Sequence, residues 1–118
     1  MARHNFRNMK IWQDGIDFVI VNYKITRNFP DFEKFNLTSQ LNRCAVSIPS
    51  NIAEGSAKAT DKHFKTYLET SLGSAFEWET QFIIAYKLNY VSQEVYNKRI
   101  EEIQKQQRMI GAFLDKLS

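Results

Sequence analysis

The sequence predicts an all-α fold, an antiparallel up-down-up-down four-helix bundle in a single domain over residues 1–118. With 43% hydrophobic and 14% aromatic residues in 118, the chain has enough apolar surface for one buried core. Only 4 Gly and 2 Pro leave few turn signals for an all-β alternative. Apolar residues recur at intervals of three and four in four segments, and the short stretches between them force each helix to turn back alongside its predecessor.

The first helix starts at Lys10. Trp12, Ile16, Val19, Tyr23 and Thr26 step by four and three, flanked by Ile11, Phe18 and Ile25, and the helix stops near Asn28 ahead of Pro30. In the connection, Phe29, Phe32 and Phe35 are expected to fold back onto the core. The second helix starts near Thr38 and runs to about Ala57. Leu37, Leu41, Cys44, Ala45, Ile48 and Ile52 share its apolar face, while Gln40, Arg43, Ser47, Asn51 and Glu54 form a polar stripe. Pro49 lies inside this helix, where it supplies no N–H, collides with the carbonyl of Ala45 and costs about 3 kcal/mol in an ordinary interior. A kink is expected there, with Ser47, Ser50 or Asn51 taking up the freed backbone group.

Thr60 followed by Asp61 reads as an N-cap with an acid in the first turn, which opens the third helix. Phe64, Leu68, Ser71, Ala75, Trp78, Phe82 and Ala85 form its apolar face, widened by Leu72, Phe76 and Ile83. Gly73 and Ser74 weaken it, the glycine by roughly 1 kcal/mol, which a closely crossing helix would explain. Asn89 and Tyr90 close the helix and Ser92 caps the fourth, where Tyr96, Ile100, Ile103, Gln107, Ile110, Leu114 and Leu117 repeat the spacing with Gln107 as the one interruption. Helices one and three carry apolar residues on more than one stripe, and that surplus predicts a subunit interface.

Several chemistries are excluded by residue type and spacing. Cys44 is the only cysteine, so neither an internal disulfide nor a Cys-based zinc cluster is expected. A di-iron carboxylate site needs Glu-x-x-His on two helices, and neither His4 nor His63 follows a Glu at that distance. A nucleophilic triad is poorly served by two histidines, and no phosphate-cradling glycine loop or dinucleotide fingerprint occurs. Glu69, Glu77 and Glu79 lie amid Lys62, Lys65 and Lys87 and read as a solvated face. No enzymatic activity, cofactor, metal or small-molecule substrate is expected. The apolar runs fall far short of the roughly 20 residues that cross a bilayer, and MARHNFRNMK has no hydrophobic signal core. A soluble, cytoplasmic protein without membrane association is therefore expected.

The formal net charge is +3, and residues 1–30 carry that excess as five Lys or Arg against two Asp. An excess of this size is compatible with nucleic acid without demanding it. The polar stripe of helix two admits two arrangements. Facing inward, Gln40, Arg43, Ser47, Asn51 and Glu54 make a paired, fold-specifying network. Facing outward, Arg43 with Lys58 and Lys62 makes a phosphate-facing row. Tyr67, Tyr86, Tyr90 and Tyr96 would either stack on unpaired bases or lie at the edge of the core.

Trp12-Gln13, Phe29-Pro30 with Glu33, Leu37 with Gln40 and Arg43, the run Ser47-Ile48-Pro49-Ser50-Asn51-Ile52-Ala53-Glu54-Gly55, and Gly73-Ser74 with Glu77 and Glu79 form a specific combination. Nearly the whole chain resembles the four-helix bundle proteins encoded by intervening sequences in bacterial 23S ribosomal RNA genes. The resemblance implies a homo-oligomeric ring, a homopentamer, without established enzymatic activity. The chain is also similar to the accessory protein of diversity-generating retroelements, a pentameric barrel that engages a reverse transcriptase and nucleic acid through basic surface. By that analogy the partner is RNA or a nucleic-acid-processing protein, contacted through Arg43, Lys58, Lys62 and Lys65 with Arg3, Arg7 and Lys10 of the N-terminus. A protein-only scaffold is the alternative. Asn42-Arg43 stands where relatives often have two basic residues, and Lys58 replaces the usual arginine after Glu54-Gly55, so the basic surface is thinned.

Overall fold

Local hydrogen bonds fix where the helices start and stop. The Thr60 hydroxyl accepts from the His63 N–H at 3.2 Å and the Ser92 hydroxyl from the Val95 N–H at 3.2 Å, each satisfying a donor that the first turn leaves free. Upstream, the Glu33 carboxylate accepts from the Leu37 N–H at 3.3 Å and from the Tyr90 hydroxyl at 2.8 Å, tying two connections together. Asn89 adopts φ 65°, and the N–H groups of Asn89 and Tyr90 donate to the carbonyls of Tyr86 and Ala85, which closes the preceding helix.

The computed structural model describes residues 3–118; the domain expected over residues 1–118 also includes Met1 and Ala2, which lie outside the described residues. Four helices follow in order, α1 (Lys10–Thr26), α2 (Leu37–Ser56), α3 (Asp61–Lys87) and α4 (Gln93–Lys116), with short 3-10 turns at Phe6–Asn8 and Asp31–Glu33 and no strand among the described residues. Their pairing is antiparallel at every seam. Near opposite ends of α1 and α2, the His4 N–H donates to the Ser56 carbonyl and Thr26 bonds Asn42. Ser47 meets Ser74 and Gln40 meets Gln81 across α2 and α3. Glu79 accepts from Gln104 and Gln107 on α4, and Gln106 donates back to the Ile11 carbonyl of α1.

The core follows the expected face of α3 closely, with Phe64, Leu68, Ser71, Ala75, Trp78, Phe82 and Ala85 all fully buried. On α2 the expected face holds as well. On α1 it does not: the buried stripe is Ile11, Gly15, Phe18, Asn22 and Thr26, leaving Ile16 and Tyr23 exposed. Polar chemistry causes the rotation. The Trp78 indole donates to Asn22 at 2.9 Å, Asn22 donates to Asn42 at 2.9 Å, and Thr26 donates to the same Asn42 oxygen at 2.9 Å. Satisfied in this way, Asn22 occupies the inner face that hydrophobicity alone assigned to Tyr23, while Thr26 stays inside as expected. On α4, Gln106 is the buried glutamine, while Gln107 is half-buried and held by Glu79.

Four further expectations are corrected. Phe29 is buried, but Phe32 and Phe35 are 71% and 85% exposed, because the 3-10 turn carries them outward. Phe76 also faces out. No neighbour comes within 4 Å of a Cβ built at Gly73; the close approach is at Gly55, where a Cβ would lie 2.6 Å from Tyr67 Cβ and 2.9 Å from Phe64 Cδ1. Finally, the helical assignment of α2 includes Pro49, and among the described residues neither Ser47, Ser50 nor Asn51 takes up the Ala45 carbonyl. The Asn51 amide caps the Ser47 carbonyl at 2.9 Å and Ser71 reaches the Ile48 carbonyl at 2.8 Å. The proline ring instead seats against α1, with its Cβ 3.2 Å from where a Cβ on Gly15 would stand.

Candidate nucleic-acid interface

The up-down topology gathers charge that is scattered in sequence. α1 begins, α2 ends, α3 begins and α4 ends at one pole of a molecule measuring 47 × 24 × 20 Å. Residues 3–9, the α2–α3 connection and the five terminal residues of each helix at this pole contain Arg3, Arg7, Lys10, Lys58, Lys62, Lys65 and Lys116. Against these seven stand the four acids Asp14, Glu54, Asp61 and Asp115, leaving +3, the whole formal charge of the chain. The other pole and the shaft are balanced.

Short contacts hold several of these cations in place. Arg3 Nε donates to the Ala57 carbonyl at 3.1 Å, pinning the N-terminal segment across the end of α2. Beside it, His4 pairs with Asp61 at 3.1 Å while its ring packs 4.9 Å from that of Phe64. Lys58 Nζ lies 4.8 Å from the centre of the Tyr67 ring, and Arg7 sits 4.4 Å over Phe6. Lys65 donates to the Ser118 hydroxyl at 2.7 Å and Lys10 pairs with Asp14 at 3.0 Å. Lys62 is exposed, with no ion pair among the described residues. Lys116 was missed in the sequence reading, since only the return of α4 brings it here. Together with Lys10 it flanks an apolar hollow of about 310 Å³ floored by Met9, Ile11, Met109 and Phe113.

Arg43 does not join this pole. It lies fourteen residues before Ala57, about 21 Å along α2 at 1.5 Å per residue, so the expected row of Arg43, Lys58 and Lys62 is broken. The inward alternative is also incomplete. Ser47 bonds Ser74 at 2.8 Å, Asn51 bonds Ser47 at 2.8 Å, and Gln40 accepts from Gln81 at 3.3 Å. Arg43 and Glu54 are exposed and make no side-chain hydrogen bond or ion pair among the described residues. The tyrosines are largely occupied. Tyr86 and Tyr96 stack at 4.0 Å, and the hydrogen bond to Glu33 raises the Tyr90 phenol above its ordinary pKa.

Residues 7–112 match the family described as 23S rRNA-intervening sequence protein. The chain belongs to that family. It is similar to a crystal structure, at 1.70 Å resolution, of a protein of unknown function from the S23 ribosomal protein family of Bacteroides thetaiotaomicron VPI-5482. The TM-score is 0.83 at 18% identity, over 89% of this chain and 95% of that one, a likeness of fold. No curated protein matches.

In this member of the family, the Ser47–Gly55 run is a packing element. Ser47 meets Ser74, Pro49 seats on Gly15, Asn51 ties back to Ser47, and Gly55 admits Phe64 and Tyr67. One helix thereby fixes its distance to both neighbours, with Ser50 and Glu54 as the positions left to solvent.

Proposed function

We propose that this 23S rRNA-intervening sequence protein is a non-enzymatic, homo-oligomeric module that binds RNA through its basic pole and works in the cytoplasm. The carrying observation is the concentration of the entire net charge at that pole, on three separate stretches of the chain. Lys58, Lys62, Lys65 and Lys116, with Arg3, Arg7 and Lys10, contact phosphate; Arg43 stands apart. Such contacts position an RNA by its backbone and release counterions, so affinity falls with salt. Assembly multiplies the effect, because each copy brings its own pole to the same RNA.

Fluorescence anisotropy with a structured RNA over a salt series tests this. With four of the seven cations offset by the acids of the same pole, about three phosphates are neutralised per copy, which gives a log–log slope of about −3. Replacing Lys62 by Glu is expected to lower affinity and reduce the slope by about one, while Arg43→Ala leaves both unchanged. Affinity equal to that of an acidic control protein, without salt dependence, would overturn the reading.

Exposed Phe32 and Phe35, at the pole opposite the lysines, favour a second reading, a scaffold that binds protein alone. Pull-down from nuclease-treated extract separates the two: a scaffold keeps its partner, whereas an RNA-bridged assembly loses it.

A further inference from the structure

The apolar hollow of about 310 Å³ at the basic pole lies between the start of α1 and the end of α4. Ile11 is its buried floor, half-buried Met9, Met109 and Phe113 complete the apolar lining, and Ala112 is exposed beside them. The Phe113 ring is held in place, 5.6 Å from that of fully buried Phe64 and 6.2 Å from that of His4 between centroids. Two thioethers next to a fixed aromatic ring adapt well to a flat, polarizable partner.

The charges of the lining are both positive. Lys10 comes from α1 and Lys116 from α4, and no acid is among the lining residues. Lys116 makes no ion pair among the described residues. Lys10 Nζ meets Asp14 at 3.0 Å, but the lysine is largely exposed, and a pair of that kind is weak enough for a phosphate to displace. The hollow therefore suits a ligand with an apolar or aromatic face and negative charge on either side of it. An amphiphile with one carboxylate answers one lysine only. A second copy seated face to face would set lysine against lysine. An unpaired nucleotide answers both, since within a strand each base is flanked by two phosphates.

We propose that the hollow receives an unpaired RNA base, with Lys10 and Lys116 on the flanking phosphates. The inference rests on the RNA-binding reading of this pole and adds which RNA it selects: one offering a bulged or single-stranded nucleotide, rather than a continuous duplex whose bases stay stacked. Besides the two lysines, the lining has no side chain that could read a base edge by hydrogen bonds, so availability of a base counts more than its identity.

Anisotropy of the full chain with two RNAs of equal charge tests this: a duplex with one bulged adenosine, and the same duplex with an abasic nucleotide at the bulge. The adenosine RNA is expected to bind about tenfold tighter, with the same salt slope for both. Phe113→Leu keeps apolar volume against Phe64 but removes the ring, and is expected to cut that difference to about threefold or less. Ala112→Gln, at an exposed position, puts a longer uncharged side chain at the hollow. It is expected to abolish the difference while preserving the helical circular dichroism and the salt slope. Lys116→Gln is expected to weaken both RNAs and to reduce the slope by about one. Salt-dependent binding that is equal for the two RNAs would overturn the proposal and leave the RNA-binding reading standing, whereas salt-dependent binding of neither would remove both. A preference that survives Ala112→Gln would also overturn it, as would saturable binding of dodecanoate with no difference between the RNAs, which would assign the hollow to an amphiphile.

Discussion

At the scale of single residues, burial decides chemistry more than residue type does. Cys44 sits among core side chains, and its thiol is pushed up to about 11 from 9.0, first by loss of water and then by the Glu77 carboxylate beside it. The folded protein therefore keeps this proton where the unfolded chain has begun to release it. That contribution to stability is whole below pH 9.0 and is lost as pH rises to about 11. At pH 8 the thiolate fraction is about a hundredfold smaller in the folded state. Iodoacetamide labelling is accordingly expected to be at least about a hundredfold slower in native protein than in denaturant, with shielding of the sulfur adding to the difference. Equal rates would mean that the thiol is open to water. Its place on the apolar face of the second helix, read from the sequence, already anticipates such inertness for Cys44. Asn22 and Asn42 were not legible in the same way, since their place inside depends on Trp78 arriving from another helix to share a hydrogen bond.

At the scale of the helix, local rules were the most readable. Thr60 and Ser92 announce helix starts because a side-chain oxygen competes for a free N–H regardless of what packs nearby, and both cap where expected. Glycine has no such local signature. Gly73 and Gly55 look alike in sequence, yet one faces open space and the other admits an aromatic side chain from the next helix. Opposite responses follow. Gly55→Ala forces a Cβ to 2.6 Å from Tyr67 Cβ, so α2 and α3 must part, at about 1–3 kcal/mol. Gly73→Ala meets nothing and gains helix propensity, about 1 kcal/mol. Urea unfolding is expected to show a lower midpoint for the first variant and a higher one for the second; movement in the same direction would show that the α2–α3 spacing is set elsewhere.

At the scale of the whole molecule, the surplus apolar surface on α1 and α3 was foreseeable, but which stripe of α1 carries it was not. With the Asn22 network turning α1, the stripe expected inside is the one left outside, so Ile16, Ile20 and Tyr23 stand exposed beside Val46 of α2. Ile16 and Val46 border an apolar groove of about 290 Å³ floored by Trp12, Val19 and Pro49. A second outward face on α3 carries Phe76 and Ile84 around Gly73. Two unlike patches on different sides of one chain suit a head-to-tail contact, which closes into a ring when the rotation per copy permits. The proposed pentamer has a mass of about 70 kDa, five times the 13.9 kDa chain, and light scattering at micromolar concentration is expected to report it. Ile16→Asp places a charge at the edge of the groove without entering the core, because Ile16 is 38% exposed in the single chain. That variant is expected to fall towards 13.9 kDa while its helical circular dichroism persists. A native mass of one chain would remove the assembly, and an unchanged mass for Ile16→Asp would move the interface away from α1. Since multivalency raises avidity without new contacts, a dissociated variant should also lose RNA affinity by more than tenfold or so while keeping its per-copy salt slope.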